Sequence, residues 1–299
     1  MSNKSSKWLT GCGIGCGVII LLLIIVSVTG YYLVKDTIQG FKRTEITMNK
    51  LNENYGEARD FQPNPEGVIG SERIETFLAV RDSIALVSEH LDSTINDLAS
   101  NIDRVEKEEK SFWKIMRLIG KGMGTIPQLA EFYNTRNNAL LNTEMGLGEY
   151  YYIYTLAYYS YLGKSPGDGP EFRIFEDSNR GGAYVLEFDD DEDEEILEDE
   201  DEESIDTHEE RRIEKIRQIR RLLRPMMRSQ LEVLKETSGS AWRTALEKEL
   251  ETLKKDRYRI PWQDGLPKFI TTSFKPYKEK LEAAYFEMLN PLEFNSIKD

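Results

Sequence analysis

Hydrophobic residues recur at three- and four-residue steps between residues 74 and 105, which is the spacing of an amphipathic α-helix. From Leu91 onward the steps alternate between four and three residues, as they do in a heptad seam. A seam of about three heptads fits a short coiled coil, but the core of a helical bundle is the more common cause. The stripe consists of Ile74, Phe77, Arg81, Ile84, Val87, Leu91, Ile95, Leu98, Ile102 and Val105.

Helical spacing returns in most of the remaining chain, interrupted by clusters of residues that break helices. The sequence GKGMGT at 120–125 predicts a turn between two helices, and Pro225 is expected to kink or split the helix around it. The segments FRIF and AYVLEF, on either side of SNRGG, predict a small β-hairpin. The fold class predicted from these patterns is all-α.

Seven of the fifteen tyrosines lie between residues 150 and 161. A helix that is apolar on most sides is typical of a core, where each hydroxyl needs a hydrogen-bond partner. We expect these partners among the polar residues between 134 and 144. Two interpretations stay open: the tyrosines pack the core and Glu149 favours the helix dipole, or a ligand pocket is formed by Glu149, Tyr151, Tyr154 and Tyr158.

The segment 8–34 carries no charged residue. As a helix it would span about 40 Å, compared with about 30 Å for the hydrocarbon core of a bilayer. This length favours a retained transmembrane helix at 9–34 over a cleaved leader, whose apolar region has about 7–15 residues. The sequence LTGC ending at Cys12 is similar to a bacterial lipoprotein box, but Cys12 precedes the apolar core, whereas a lipobox cysteine follows it. Cleavage and lipidation at Cys12 stay as alternatives.

Glycines at the start of this helix form two overlapping pairs with three residues between their members. Such pairs let two transmembrane helices approach closely, so this edge is a candidate for homodimerisation. Glycine is also tolerated at this position without any such role. The candidate residues are Gly11, Gly13, Gly15 and Gly17.

Basic residues flank both ends of the predicted transmembrane helix, so their count does not determine its orientation. A short basic tail, then an apolar run, then a large domain is the usual order in a signal anchor. We therefore expect a single-pass protein of the cell membrane, with its soluble domain outside the cytoplasm, in a bacterial periplasm or envelope.

Fourteen acidic residues lie at 187–203 and account for the whole net charge of −14. Such a run of like charges predicts a disordered loop. The segment 211–228 that follows contains eight basic residues and one acidic residue. It suits an anionic lipid surface, which would require the soluble domain to face the cytosol, or nucleic acid. The simpler interpretation is a bundle helix whose arginines face solvent and are balanced by the acidic run, and we expect no nucleic-acid partner.

Catalytic and metal-binding motifs are missing from the sequence. The only histidines are His90 and His208, and the only cysteines are Cys12 and Cys16, which argues against zinc sites and Cys–His catalysis. Phosphate-loop, nucleophile-elbow and dinucleotide motifs are also missing. Paired carboxylates are available for acid–base chemistry, but no spacing singles out one pair. The sequence therefore favours a protein without enzymatic activity and predicts no cofactor.

These patterns predict a transmembrane helix followed by an all-α, bundle-like soluble domain that binds or scaffolds a protein partner. The alternative is a membrane-tethered enzyme or small-molecule binder that uses the tyrosine-rich helix at 147–162. The predicted boundaries are a basic tail at 1–8, the transmembrane helix at 9–34, a juxtamembrane helix and linker at 35–65, a first helical half at 66–164, a loop with the acidic run at 165–206, a second half at 207–291 that packs on the first, and a tail at 292–299.

Overall fold

The computed structural model describes residues 39–106, 112–169, 173–177, 183–187, 207–234 and 241–294. The predicted transmembrane helix, the glycines of its candidate dimer edge and residues 188–203 of the acidic run lie outside these ranges. Within the described ranges, no helix combines the length and the apolar character that crossing a bilayer requires.

Helices dominate the described residues, as the hydrophobic spacing predicts. The predicted hairpin is also present, as an antiparallel pair of five-residue strands. The elements are α1 (39–55), α2 (Ser71–Glu106), α3 (Phe112–Asn142), α4 (Leu147–Tyr154), a π-helical segment (Thr155–Tyr161) that continues α4, β1 (Arg173–Asp177), β2 (Ala183–Glu187), α5 (Thr207–Leu234), α6 (Ala241–Lys255), α7 (Lys268–Phe274), α8 (Lys278–Ala283) and α9 (Asn290–Glu293). Short 3-10 turns occupy Ala58–Asp60, Lys275–Tyr277 and Glu287–Leu289.

Helices α2 and α3 pack against each other, and the stripe predicted on α2 faces the interior wherever its side chains are described. Ser88 is buried on this face, whereas its neighbour Val87 is only half-buried. The other buried members of the stripe are Ile74, Phe77, Arg81, Ile84, Leu91 and Ile95.

One predicted interruption is wrong, since helix α3 continues through 120–125, where we expected a turn. Helix α5 also continues through Pro225, so the helix is not split there, whereas the alternative of a kink stays a prediction. Glycine costs only about 1 kcal/mol in a helix, so glycines do not by themselves end one. Pro225 removes the hydrogen bond to the carbonyl of Arg221, but both residues are exposed, so water can reach that carbonyl.

One hydrophobic core joins the segments before and after the hairpin. It draws buried side chains from α1 through α8, represented by Leu51, Phe77, Leu140, Tyr154, Leu223, Leu246, Ile270 and Leu281. A smaller cluster packs Leu289 and Leu292 against α2 and α3. Since Leu292 and Glu293 are both 1% exposed, the core extends two residues into the segment that we expected to be a tail.

A buried carboxylate, Glu249, fixes the loop between α6 and α7. Its Oε1 atom accepts hydrogen bonds from the Trp262 amide at 2.8 Å and from Arg259 Nη2 at 3.0 Å. Trp262 has φ 59°, which is uncommon for a residue other than glycine, and its ring stacks on Trp242 at 5.3 Å. These contacts hold the loop against α6.

Candidate functional site

The tyrosine-rich helix changes its hydrogen-bond period at Thr155, where α4 becomes π-helical. In a regular α-helix, positions five apart point about 140° away from each other. A π-helix is wider, because its backbone hydrogen bonds reach five residues. Consistent with this, the hydroxyls of Tyr154 and Tyr159, five positions apart, both donate to Oδ1 of Asn290, at 3.1 and 2.7 Å.

Asn290 itself is fixed by its amide group. Its Nδ2 atom donates to the carbonyl oxygens of Pro166 at 3.1 Å and Asp168 at 3.0 Å. The side chain therefore connects the tyrosine-rich helix, the loop after it and α9 in one buried network.

A second part of this network is a fully buried ion pair between Arg81 of α2 and Glu293 of α9. Arg81 Nη1 also donates to the Tyr150 hydroxyl at 2.8 Å, and its Nε and Nη2 atoms donate to the carbonyl of Ala284 at 3.0 and 2.7 Å. The Tyr150 hydroxyl in turn donates to the other oxygen of Glu293 at 3.0 Å. Every nitrogen of the Arg81 guanidinium thus has a partner.

A second buried arginine, Arg136 of α3, is held mainly by aromatic rings. Its Nη1 atom donates to the Glu293 carbonyl at 3.0 Å, and its Cζ atom lies 5.0 Å from the Tyr133 ring centre and 5.8 Å from that of Tyr151. Cation–π contacts of this kind compensate a desolvated charge. The Nε and Nη2 atoms of Arg136 and the Tyr151 hydroxyl have no hydrogen-bond partner among the described residues.

We call this set the interior cluster; it consists of Arg81, Arg136, Tyr150, Tyr151, Tyr154, Tyr159, Asn290 and Glu293. Burial raises the pKa of Tyr150, Tyr154 and Tyr159 well above the ordinary value and that of Tyr158 to about 12, so these hydroxyls are neutral at physiological pH. Burial opposes the charge of Arg81, but the oxygen atoms of Tyr150 and Glu293 outweigh it and raise the arginine's pKa. The interior cluster therefore holds two cations and one carboxylate.

The four residues predicted to form a ligand pocket line neither of the two clefts described below. Tyr151, Tyr154 and Tyr158 are buried, and the Tyr158 hydroxyl donates to the Ala284 carbonyl at 3.3 Å. Glu149 is half-buried and accepts a hydrogen bond from Arg73 Nε at 2.7 Å. We expected residues 134–144 to supply the hydrogen-bond partners of the tyrosine hydroxyls. For most of the tyrosines, the partners come instead from α9 and the loop before it, which are distant in sequence.

A cleft of about 530 Å³ lies between α2 and the segment around α8. Arg81, Asp82 and Lys280 are among its lining residues, and none of the four predicted pocket residues is. Its walls carry both signs of charge.

A second cleft, of about 430 Å³, is lined almost entirely by arginine. We call it the arginine groove. One wall is the exposed face of α5, where four arginines follow each other at steps of four, three and four residues over about 16 Å. The other wall is the loop after α6, where the Arg257 guanidinium lies 4.8 Å from the ring centre of Tyr258. The groove is lined by Arg217, Arg220, Arg221, Arg224, Pro225, Arg228, Arg257 and Tyr258.

Arg220 forms the floor of the groove and has a structural role. It donates to the carbonyl oxygens of Asp256 at 2.6 Å and Arg259 at 2.8 Å, and also to that of Leu253. These carbonyls lie at or just beyond the end of α6, where a cation is favourable. Arg220 thereby ties α5 to α6 and to the wall of the groove.

The remaining arginines of the groove have few anionic partners. Glu214 lies 3.4 Å from Arg217 and 3.3 Å from Arg221, whose side chains are 58% and 71% exposed. Among the described residues, no carboxylate forms an ion pair with Arg224, Arg228 or Arg257. Burial and the neighbouring Arg224 lower the pKa of Arg220, which reflects the concentration of positive charge.

No protein-family model matches this chain, and no curated protein or solved structure shows significant similarity to it. The candidate sites are therefore assigned on their geometry and charge alone.

Sequence patterns pointed to parts of both sites. Arg81 stands on the apolar stripe of α2, and a charged residue at such a position signals a buried cation. The arginine steps on α5 are visible in the sequence, but the wall that α6 adds to them is not. For Glu293 no sequence signal existed, since it lies in the segment 292–299 that we expected to be a tail.

Proposed function

We propose that this chain is a membrane-anchored, non-enzymatic helical protein that acts as a binding or scaffolding module. The observation that carries the proposal is the arginine groove, because most of its arginines are exposed and few of their donors have a partner among the described residues. The carboxylate of the interior cluster, in contrast, is bonded to Arg81 and Tyr150, and the surrounding tyrosines are neutral. That arrangement offers no free acid or base for catalysis.

The anchor in this proposal is the apolar segment 9–34, with the soluble domain outside the cytoplasm. Support comes from its length without charge, which exceeds the thickness of a bilayer core. Its glycines at 11, 13, 15 and 17 would allow close approach of a second copy, so a homodimer through this edge belongs to the same proposal.

Membrane fractionation of the full chain tests the anchor. The full chain should stay in the membrane pellet after an alkaline carbonate wash, and deletion of residues 9–34 should release it. Accessibility of residue 299 to added protease in intact cells tests the orientation. Release of the full chain by the wash would overturn the anchor.

Crosslinking in cells tests the binding module. We expect discrete crosslinked species of the full chain that disappear in an Arg224→Gln/Arg228→Gln/Arg257→Gln variant. The matched control removes three exposed charges elsewhere, with Lys248→Gln/Lys275→Gln/Lys278→Gln. A full chain that is monomeric and yields no crosslinked species would contradict the module.

A small-molecule binder built on the tyrosine-rich helix is a second candidate, favoured by one observation. The Nε and Nη2 atoms of Arg136 and the Tyr151 hydroxyl are buried donors without a partner among the described residues, and such groups often contact a bound molecule. Native mass spectrometry of the full chain should then show a bound small anion. Tyr151→Phe should lose the bound anion but stay folded, whereas Tyr152→Phe should keep the anion. If the unaltered chain and both variants have the mass of the bare chain, this candidate is refuted.

A further inference from the structure

The arginine groove holds more hydrogen-bond donors than the described part of the chain uses. Each guanidinium presents five N–H donors in a planar fork. Those of Arg220 are directed to three backbone carbonyls, whereas Arg217 and Arg221 share the single carboxylate of Glu214 at long distances. Exposed pairs of this kind contribute little, so a ligand with more negative charge can replace Glu214.

We propose that the arginine groove binds phosphate groups. A phosphate monoester carries a charge of about −1.5 to −2 and three acceptor oxygens, compared with one charge and two oxygens on a side-chain carboxylate. The arginine fork matches two of those oxygens at once. This inference rests on the proposal that the groove is a binding surface and adds the chemistry of its ligand.

The shape of the groove suits more than one phosphate. Its volume of about 430 Å³ is open to solvent along α5, and arginines line both walls. Exposed Arg221 and Arg228 lie on α5, two helical turns apart, and Arg257 lies across from them. A ligand with neighbouring phosphates can therefore contact both walls at once.

Such phosphates have two sources, the headgroups of anionic phospholipids and phosphate compounds in solution. The lipid source bears on orientation, because the cytoplasmic leaflet carries the larger negative surface potential. Phosphate binding restricted to lipid would favour a soluble domain on the cytoplasmic side, opposite to the orientation proposed above.

The experiment uses the full chain in nanodiscs of phosphatidylcholine. One arm adds vesicles of equimolar phosphatidylcholine and phosphatidic acid, whose headgroup is a phosphate monoester, with pure phosphatidylcholine vesicles as the reference, and measures co-flotation. The other arm titrates inorganic tripolyphosphate by calorimetry, with citrate as a carboxylate of similar charge. The test variant is Arg228→Gln/Arg257→Gln, whose two side chains are exposed, and the matched control is Lys248→Gln/Lys275→Gln.

We expect phosphate binding that weakens about 30-fold in the test variant, which corresponds to about 1 kcal/mol for each arginine. The control variant should bind as the unaltered chain does. Arg228→Lys/Arg257→Lys should recover only part of the affinity, since lysine keeps the charge but not the fork. Binding should also weaken as salt is added.

The two arms separate the sources. Binding of tripolyphosphate without vesicle binding supports the inference and assigns a soluble ligand, whereas vesicle binding alone assigns a lipid surface. Equal affinities of the test and control variants, equal binding of citrate, or no binding in either arm would overturn it. If membrane retention and groove-dependent crosslinking persist in that case, only the phosphate inference fails, and the proposed function stands.

Discussion

The interior cluster and the arginine groove both concentrate arginine, but they treat its charge in opposite ways. In the interior cluster, Arg81 reaches a carboxylate, a hydroxyl and a carbonyl, and Arg136 lies among aromatic rings. In the groove, Arg228 and Arg257 are exposed and have no carboxylate partner among the described residues. Arginines whose N–H donors bond to other groups of the protein therefore stabilise the fold, and arginines whose donors lack such partners among the described residues are available to a ligand.

The comparison predicts its largest difference when a carboxylate is removed from each region. Glu293→Ala should lower the free energy of unfolding by about 3–5 kcal/mol, because two buried arginines lose their counter-charge. Glu214→Ala, beside the groove, should cost less than about 1 kcal/mol, since its pairs are exposed. Urea denaturation measures both. Similar losses in the two variants would remove the distinction between the regions.

Alkaline pH should destabilise the fold through the buried tyrosines in and beside the interior cluster, and the exposed groove arginines should not contribute to this loss. The unfolded-state pKa of tyrosine is about 10, and the folded-state pKa of Tyr158 is about 12. A raised folded-state pKa contributes stability that is present below about pH 10 and lost as the pH rises through the folded value. For Tyr158 alone this amounts to about 3 kcal/mol, and the other buried tyrosines add to it.

Tyrosinate absorbance and circular dichroism, followed together against pH, check this. The buried tyrosines should ionise together with unfolding, and the transition should be the same in Arg228→Gln. A tyrosinate signal that is complete before helicity falls would contradict the closed interior.

The interior should also resist added volume. An ideal Cβ on Gly148 would lie 2.3 Å from the carbonyl oxygen of Ala58 and 2.5 Å from Cβ of Phe61. Gly148→Ala should therefore cost about 1–3 kcal/mol through overpacking. At Gly70 an added Cβ meets nothing within 4 Å, and Gly70→Ala should cost less than about 1 kcal/mol. Thermal unfolding of the two variants measures the difference, and equal midpoints would refute it.

The smallest expected effect distinguishes two arginines within the groove. Arg220→Gln should cost about 1–3 kcal/mol, because it leaves carbonyls at the end of α6 without a donor. Arg228→Gln should change stability by no more than about 0.5 kcal/mol. Chemical denaturation checks both, and a loss at Arg228 as large as that at Arg220 would show that the groove's exposed arginines are also structural.

Helix positions and their buried faces were largely predictable from the sequence. The stripe on α2, the burial of the tyrosine-rich helix and the hairpin follow from local periodicity, because each depends on residues close in sequence. The continuity of α3 and α5 was not predictable, since glycine and proline lower helix propensity but do not by themselves fix where a helix ends.

The candidate sites were less predictable than the helices. The arginine steps on α5 were visible, but the loop with Arg257 and Tyr258 reaches them only through the fold. The hydroxyl partners of Tyr154 and Tyr159 come from Asn290, more than a hundred residues away. No local sequence pattern could show that pairing. The π-helical segment that aligns the two tyrosines also has no sequence signal among the patterns described above.

From its sequence alone, this protein shows its helices, its acidic run, its apolar N-terminal segment and the density of arginine on α5, because composition and spacing are properties of the chain. Only the tertiary structure decides which arginines are internal. Burial removes water from Arg81 and Arg136 and requires that carboxylate, hydroxyl and aromatic groups replace it. Arg221, Arg228 and Arg257 of the groove stay exposed to water, so their guanidinium groups can bind a ligand.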